Sequence, residues 1–517
     1  MEVYVSNKRK KLFNLIYGRT LIIIILIIIQ LAILFITFNW LKGDFAYLYN
    51  GFNLLTSILI IYILNKKENP SFKLAWIIPI LIFPVFGTLF YLFLKLQVES
   101  KLVSDKLSNV ISETQEYLQQ DDTILKDLEK EDMHVANLSK YMKNIGGYPI
   151  YKNTNVKYFS LGEKKFEEMK IQLEKAEKFI FMEYFIVEEG YMWSSILEIL
   201  ERKVKEGVEV RVMYDGMCSL SLLPYNYPKI LQGKGIKCKI FSPVRPALST
   251  VQNNRDHRKI LVIDGKVAFN GGINLGDEYI NRIEKYGHWK DTAIMLTGHA
   301  VKSFTLMFLQ MWNITETSHD DFKKYILIEE KQEDSYGYIM PYGDSPLDNE
   351  NVGENVYMDI LATAKKYVHI MTPYLIIDNE MITALTYAAK RGVDVKIILP
   401  HIPDKKYAFM LARTYYLELI EAGVKIYEYI PGFVHAKVFS CDDEKSVVGT
   451  INLDFRSLYL HFECATFIYK APVIKDIEDD YNETLKKCKK ITLEDYKNLN
   501  VFYKIGGGIL KLFAPLM

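Results

Sequence analysis

Three apolar runs crowd the first hundred positions of the chain, at 20–38, 47–64 and 72–94, before the pattern changes character. The first run holds no charged residue. Its nineteen positions, at a helical rise of about 1.5 Å, come close to a hydrocarbon core of about 30 Å. It is too long for the apolar part of a secretory leader, and no small-residue cleavage site follows. Together the runs predict an α-helical membrane module. Lys8, Arg9, Lys10, Lys11 and Arg19 place the N-terminus on the cytoplasmic side, and Lys66 and Lys67 fit that side too. Pro79, Pro84 and Gly87 interrupt the third run, so a broken or re-entrant helix and a full crossing are both compatible with it. Two crossings leave the remaining chain in the cytoplasm and three put it outside; the pattern leaves this open.

Residues 99–142 are charged, with a helical pattern at 112–128, and read as a solvated connector that ends at Gly146-Gly147-Tyr148-Pro149. Beyond that boundary the chain repeats itself. Ala176-Glu177-Lys178-Phe179-Ile180-Phe181 has a counterpart in Ala364-Lys365-Lys366-Tyr367-Val368-His369. In the first half Ser194 or Ser195 is the expected cap of a helix with Ile196, Ile199, Leu200 and Val204 on one face; it stops at Gly207, and residues 208–212 alternate like a strand. In the second half Asn379 is the expected cap, Gly392 the stop and 393–399 the strand. A glycine-led strand follows in each half, from Gly235 and from Gly423. The offset between the copies stays between 178 and 188 residues, which is a duplicated α/β unit with a mixed sheet and covering helices in each half.

Composition changes this picture little. The 64 basic and 63 acidic residues give no global attraction to nucleic acid. The five cysteines form no paired motif and read as small buried apolar residues.

The chemistry lies in a stretch that occurs twice. In each copy a lysine follows a histidine by two residues, an aspartate by seven and an asparagine by seventeen: His257, Lys259, Asp264 and Asn274, then His435, Lys437, Asp442 and Asn452. Residues two apart on a strand share a face, so each His and Lys can project together. Asp264-Gly265 is a hairpin-turn dipeptide. A two-residue turn there puts Gly272 opposite His257 and Asn270 opposite Lys259, leaving room at the glycine for a bulky substrate group. A turn at Asp442-Asp443 puts Thr450 opposite His435. The aspartates then sit at the turns, ordering the hairpin and the lysine network without touching substrate. A neutral imidazole can attack phosphorus while a protonated one supplies a proton to the leaving alkoxide. Two lysines and two asparagines can stabilise charge on the phosphoryl oxygens without a metal. Each imidazole also needs an acceptor for its other nitrogen. Asp291 and Glu463, 34 and 28 residues past His257 and His435, are the nearest downstream carboxylates in apolar context.

This pattern resembles the phospholipase D superfamily, with one HxKxxxxD motif per lobe, and within it the bacterial cardiolipin synthases. Asn69-Pro70-Ser71, Pro84-Val85-Phe86-Gly87, Gly271-Gly272-Ile273-Asn274-Leu275-Gly276-Asp277, Val448-Gly449-Thr450-Ile451-Asn452-Leu453-Asp454 and the terminal Ala514-Pro515-Leu516-Met517 carry the resemblance. Asp443 departs from the Gly265 of the first copy and leaves the second turn type open. The resemblance implies two phospholipase D-like lobes behind a membrane domain: a transmembrane module at 1–95, a helical connector at 96–145, lobes at 146–325 and 326–500, and an apolar tail at 501–517. It implies that two phosphatidylglycerol molecules in the bilayer give cardiolipin and glycerol through a phospho-histidine, with catalytic His257, Lys259, Asp264, His435, Lys437 and Asp442. Asn274 and Asn452 would then bind substrate, and Asp291 and Glu463 would orient the histidines. No metal, cofactor or nucleic acid is implied, the site is a multi-pass cell membrane, and a homo-oligomer is permitted. A hydrolytic phospholipase D, a phosphatidylserine synthase and a silent membrane scaffold remain alternatives. The tail is expected to lie at the lipid interface or to pack on the lobes.

Overall fold

The computed structural model describes residues 46–95, 99–244, 250–326, 335–348 and 350–516, with part of 21–37. Strands are numbered along the chain. The first sheet holds β1 (Thr154–Phe159), β2 (Phe179–Tyr184), β3 (Glu209–Asp215), β4 (Lys237–Phe241), β5 (Lys259–Ile263), β6 (Val267–Gly271) and β8 (Ala293–Gly298), while β7 (His288–Lys290) stands apart. The second sheet holds β9 (Tyr338–Asp344), β10 (Tyr367–Met371), β12 (Asp394–Pro400), β13 (Lys425–Tyr429), β15 (Val438–Cys441), β16 (Lys445–Gly449), β18 (Glu463–Tyr469) and β19 (Cys488–Ile491). The short strands β11 (Leu375–Ile376), β14 (Gly432–Val434) and β17 (Leu453–Asp454) lie outside it.

The sheets run β1-β8-β6-β5-β2-β3-β4 and β9-β18-β16-β15-β10-β12-β13, so strand for strand the order repeats, and the second sheet adds β19 at its edge. Three strands in each are parallel, joined by helical crossovers, and the rest are antiparallel. The crossover helices are amphipathic. Tyr191–Lys205 buries Met192, Trp193, Ile196, Ile199 and Leu200. It starts earlier than the serines suggested, because the Asp277 carboxylate accepts from the backbone N–H groups of Tyr191 and Met192. In the second lobe Asp378, not Asn379, caps the matching helix, Asn379–Lys390. The alternation at 208–212 marks a strand buried on both faces, with Arg211 taken up by Glu209, Asp320 and Tyr325.

The connector is not a solvated arm. Its helices Glu99–Thr114, Asp122–Glu131 and Met133–Tyr141 bury Leu107, Val110, Leu128, Val135 and Leu138 in the largest apolar cluster, because the apolar positions recur at helical spacing between the charges. Between the lobes, helix Val301–Asn313 is buried at every position except Lys302. The five cysteines are free, and four are buried.

The expected span at 20–38 lies largely outside the described residues. Among the described residues no helix is long and apolar enough to cross a membrane. The third apolar run is broken into Pro70–Ile82 and Pro84–Lys95, which fold back on each other. Trp76 packs on Phe90 and Tyr91, and Gly87 meets the Ile80 backbone where a Cβ would lie 2.7 Å from Cα. The tail helix Val501–Lys511 packs Gly506 and Gly507 on Met410 and Thr414, yet leaves Phe502, Ile505 and Ile509 exposed.

Candidate active site

The hairpins that carry the two motifs meet between the sheets. Each turns at two left-handed residues, Asp264 (φ 53°) and Gly265 (φ 66°) in one, Asp442 (φ 56°) and Asp443 (φ 62°) in the other. The turn type is therefore shared, and aspartate tolerates the conformation that glycine adopts freely. The register differs from a plain two-residue turn. Ile263 pairs with Val267 and Cys441 with Lys445, so Lys266 and Glu444 are extra residues and each ladder shifts by one. Asn270 accordingly faces Ile260, not Lys259.

Asp264 and Asp442 do not face the reaction centre. The Asp264 carboxylate accepts backbone N–H groups of Glu177, Lys178 and Phe179 at 2.7–2.8 Å. Asp442 does the same for Lys365, Lys366 and Tyr367. They pin each hairpin to the strand beside it through backbone N–H groups. The lysines turn back instead: Lys259 Nζ donates to the carbonyl of His257, and Lys437 Nζ to that of His435.

The histidines exchange partners across the interface. His257 Nδ1 lies 2.9 Å from Glu463 Oε1, and His435 Nδ1 lies 2.6 Å from Asp291 Oδ2. Spacing along the chain pointed to a carboxylate on a neighbouring strand of the same lobe. The exchange arises because the segment ahead of each histidine pairs in parallel with the segment ahead of the opposite lobe's carboxylate. β14 pairs with β7, aligning Val434 with Lys290, and His435 N–H donates to the Lys290 carbonyl. On the other side Asp256 bridges Phe462, and His257 N–H donates to the Phe462 carbonyl. One backbone device is used twice.

The two halves differ in detail. Thr450 Oγ1 donates to Glu463 Oε2, whereas its counterpart Gly272 leaves space: a Cβ there would lie 2.2 Å from Asp291 Oδ1 and 3.0 Å from the His435 carbonyl. That glycine makes room for the orienting carboxylate, not for substrate. Asn274 is committed to the scaffold, accepting from Ile186 N–H and donating to the Tyr279 hydroxyl; Tyr279 in turn packs edge-on against His435. Asn452 is buried, and its Oδ1 has no hydrogen-bond partner.

Burial dominates the electrostatics. It pushes His257 well below its ordinary value, helped by Lys259, and pushes His435 down to about 4, with Lys437 adding to the effect and Asp291 opposing it. Lys259 falls to about 8 and Lys437 to about 7, both through burial. The carboxylates part company. Burial raises Glu463 to about 8 against the pull of Lys259, while at Asp291 burial is overcome by His435, Lys437 and the Thr292 N–H acting together, which hold it below its ordinary range.

Sequence reasoning missed His461. Its ring centroid lies 5.5 Å from that of His257 and 6.3 Å from Phe185, and neither of its nitrogens has a hydrogen-bond partner. The only signal was its place two residues before Glu463. No metal site was expected, yet His257, His461 and Glu463 form one group whose ligand atoms lie within 4.8 Å of one another.

A repeated mixed sheet that brings one His/Lys pair from each lobe to a common interface is the arrangement of the phospholipase D superfamily. The family model for the cardiolipin synthase, phospholipase D-like domain matches residues 169–312 and 357–485, and a phospholipase D-nuclease N-terminal model matches 54–95. A cardiolipin synthase of Halalkalibacterium halodurans is 32% identical over 93% of this chain and 95% of its own length. An uncharacterized protein of Streptococcus mutans is 54% identical over 89% of this chain and 99% of its own. The chain belongs to the cardiolipin synthase family. In fold it is similar to a phosphatidylserine synthase of Haemophilus influenzae, with a TM-score of 0.56 at 16% identity over 74% of this chain and 98% of that one.

Proposed function

We propose that the protein transfers a phosphatidyl group from one phosphatidylglycerol to the glycerol hydroxyl of another, giving cardiolipin and free glycerol. The observation that carries this reading is the crossed pair of imidazole–carboxylate contacts, each with a lysine from the same hairpin. His257 Nε2 attacks phosphorus and the bond to the leaving glycerol oxygen breaks, with the proton coming from His435. His435 then takes the proton of the incoming hydroxyl, whose oxygen displaces His257. The unequal carboxylates favour these roles: Asp291, held ionised beside His435, supports the charge that ring carries while it holds the proton. Lys259 and Lys437 neutralise the phosphoryl oxygens. Asp264, Asp442 and Asn274 position backbone, and Asn452 is the asparagine left to meet substrate. Phospholipid substrates accord with membrane association, which the N-terminal hairpin and the apolar face of Val501–Lys511 support.

The test is purified protein in chelator-treated buffer with acyl-labelled phosphatidylglycerol, followed by product identification. Cardiolipin with stoichiometric glycerol is expected. Phosphatidic acid as sole product would make the enzyme a hydrolase, and serine-dependent product a phosphatidylserine synthase.

A further inference from the structure

His461 is a buried imidazole, 9% exposed, with neither nitrogen hydrogen-bonded, and the proposed mechanism gives it no task. A buried polar group without a partner calls for an explanation. Its Nδ1 lies 4.0 Å from Glu463 Oε1, the same oxygen that stands 2.9 Å from His257 Nδ1. Zinc bonds of about 2.0–2.2 Å to nitrogen and oxygen set tetrahedral ligand separations of about 3.4 Å. The two observed distances bracket that value, and one ligand atom from each of the three residues lies within 4.8 Å of the others.

We propose that His257, Glu463 and His461 form an inhibitory site for a borderline-soft divalent cation such as Zn²⁺. Two imidazoles and a carboxylate are a donor set this ion takes with an open fourth position, whereas Mg²⁺ prefers oxygen donors and octahedral geometry. The proton balance explains the inhibition, which rests on the reading of His257 as nucleophile. For Nδ1 of His257 to bind the ion it must give up its proton, and the neutral ring then carries its single proton on Nε2. The lone pair that would attack phosphorus is gone, and the carboxylate that fixed the tautomer is coordinated instead. The ring proton moves from Nδ1 to Nε2 by exchange through solvent, so the imidazole's proton count is unchanged; any proton on the Glu463 carboxyl is released to solvent, and no oxidation or group transfer is involved. Metal removal reverses the block.

The experiment uses the full-length protein in detergent micelles, stripped with EDTA and desalted. Co²⁺ titration reads the site by its ligand-field absorption, independently of turnover, and Zn²⁺ is then added in competition. One equivalent of Co²⁺ with tetrahedral bands, displaced by Zn²⁺, is expected from the wild type. Zn²⁺ should also reduce phosphatidylglycerol turnover at least ten-fold, with recovery on EDTA addition. In His461→Asn the bands should be lost or the affinity weakened at least ten-fold, with turnover in chelator retained and no longer sensitive to that Zn²⁺ concentration. Glu463→Gln provides a second loss of bands should His461→Asn fail to fold. Bands unchanged in either variant, or absent from the wild type, overturn the site. Equal Zn²⁺ inhibition of wild type and His461→Asn overturns its role. A sample that shows the bands but never turns over phosphatidylglycerol would instead count against the proposed function.

Discussion

Nδ1 of His257 lies 2.9 Å from Oε1 of Glu463, a residue 206 positions further along the chain and on the other sheet. His435 and Asp291 repeat the relationship in the opposite sense at 2.6 Å. Neither sheet completes its own histidine, so the reactive pair exists only when the two sheets are docked.

Replacing either orienting carboxyl group by its amide without changing its shape should therefore disable a histidine held by the other lobe. In Glu463→Gln and in Asp291→Asn the amide can present N–H to Nδ1 and favour the wrong tautomer. Each is expected to lose roughly 10²- to 10⁴-fold in kcat with little change in KM. Initial rates on phosphatidylglycerol check this, and a loss under ten-fold in both would remove the orienting role.

The motif aspartates should behave as structural residues. Asp264→Ala leaves three backbone N–H groups beside β2 without their acceptor, an expected cost of about 3 kcal/mol. Asp442→Ala should cost less, because the matching donors on Lys365 and Lys366 are exposed. Urea midpoints report the stabilities. A kcat loss of about 100-fold at an unchanged midpoint would place these carboxylates in the chemistry after all.

Much of this architecture could be read from the chain, and the failures have physical causes. The duplication and the paired histidine motifs were visible because each rests on local pattern, whereas the prolines of the third apolar run left a break and a full crossing equally open until the structure showed the break. The exchange of Asp291 and Glu463 was not, since β7 and β14 are three residues long and their pairing joins distant segments. The one-residue shift at Lys266 escaped because a turn dipeptide fixes the bend but not the bulge beside it. The connector misled through its charge, although its apolar positions fit a helix face. His461 has no motif around it, and only the fold sets it beside His257.

Two site residues should tilt stability in opposite directions with pH. His435 falls from 6.5 to about 4 on folding, so between those values the unfolded chain binds a proton that the folded one refuses. Stability is then lost as pH drops below 6.5, by roughly 3 kcal/mol once pH 4 is passed. Glu463 rises from 4.5 to about 8, so its contribution is fully present below 4.5 and is lost as pH climbs through 8. Unfolding free energies from pH 4 to 9 should show the acid loss diminished in His435→Gln and the alkaline loss diminished in Glu463→Gln. Slopes identical to wild type in both variants would contradict these assignments.

The N-terminal module reaches the loop behind the active site. Asn69, which caps helix Pro70–Ile82, donates to Asp378 at 2.7 Å and to the Tyr459 hydroxyl at 2.9 Å. Phe72 meets the rings of Phe455 and Tyr459 edge-on, with centroids 5.7 and 5.4 Å apart. The loop they brace runs directly into Phe462, whose carbonyl holds His257 N–H, and Glu463. Phe72→Ala removes both ring contacts and frees this loop while leaving the outward apolar surface of the hairpin intact. Turnover should fall roughly 10- to 100-fold, the scale set by small misplacements of a catalytic group, with vesicle flotation unchanged. Flotation lost in parallel with turnover would make the hairpin an anchor only. Unchanged turnover would show that the loop keeps its shape without the brace.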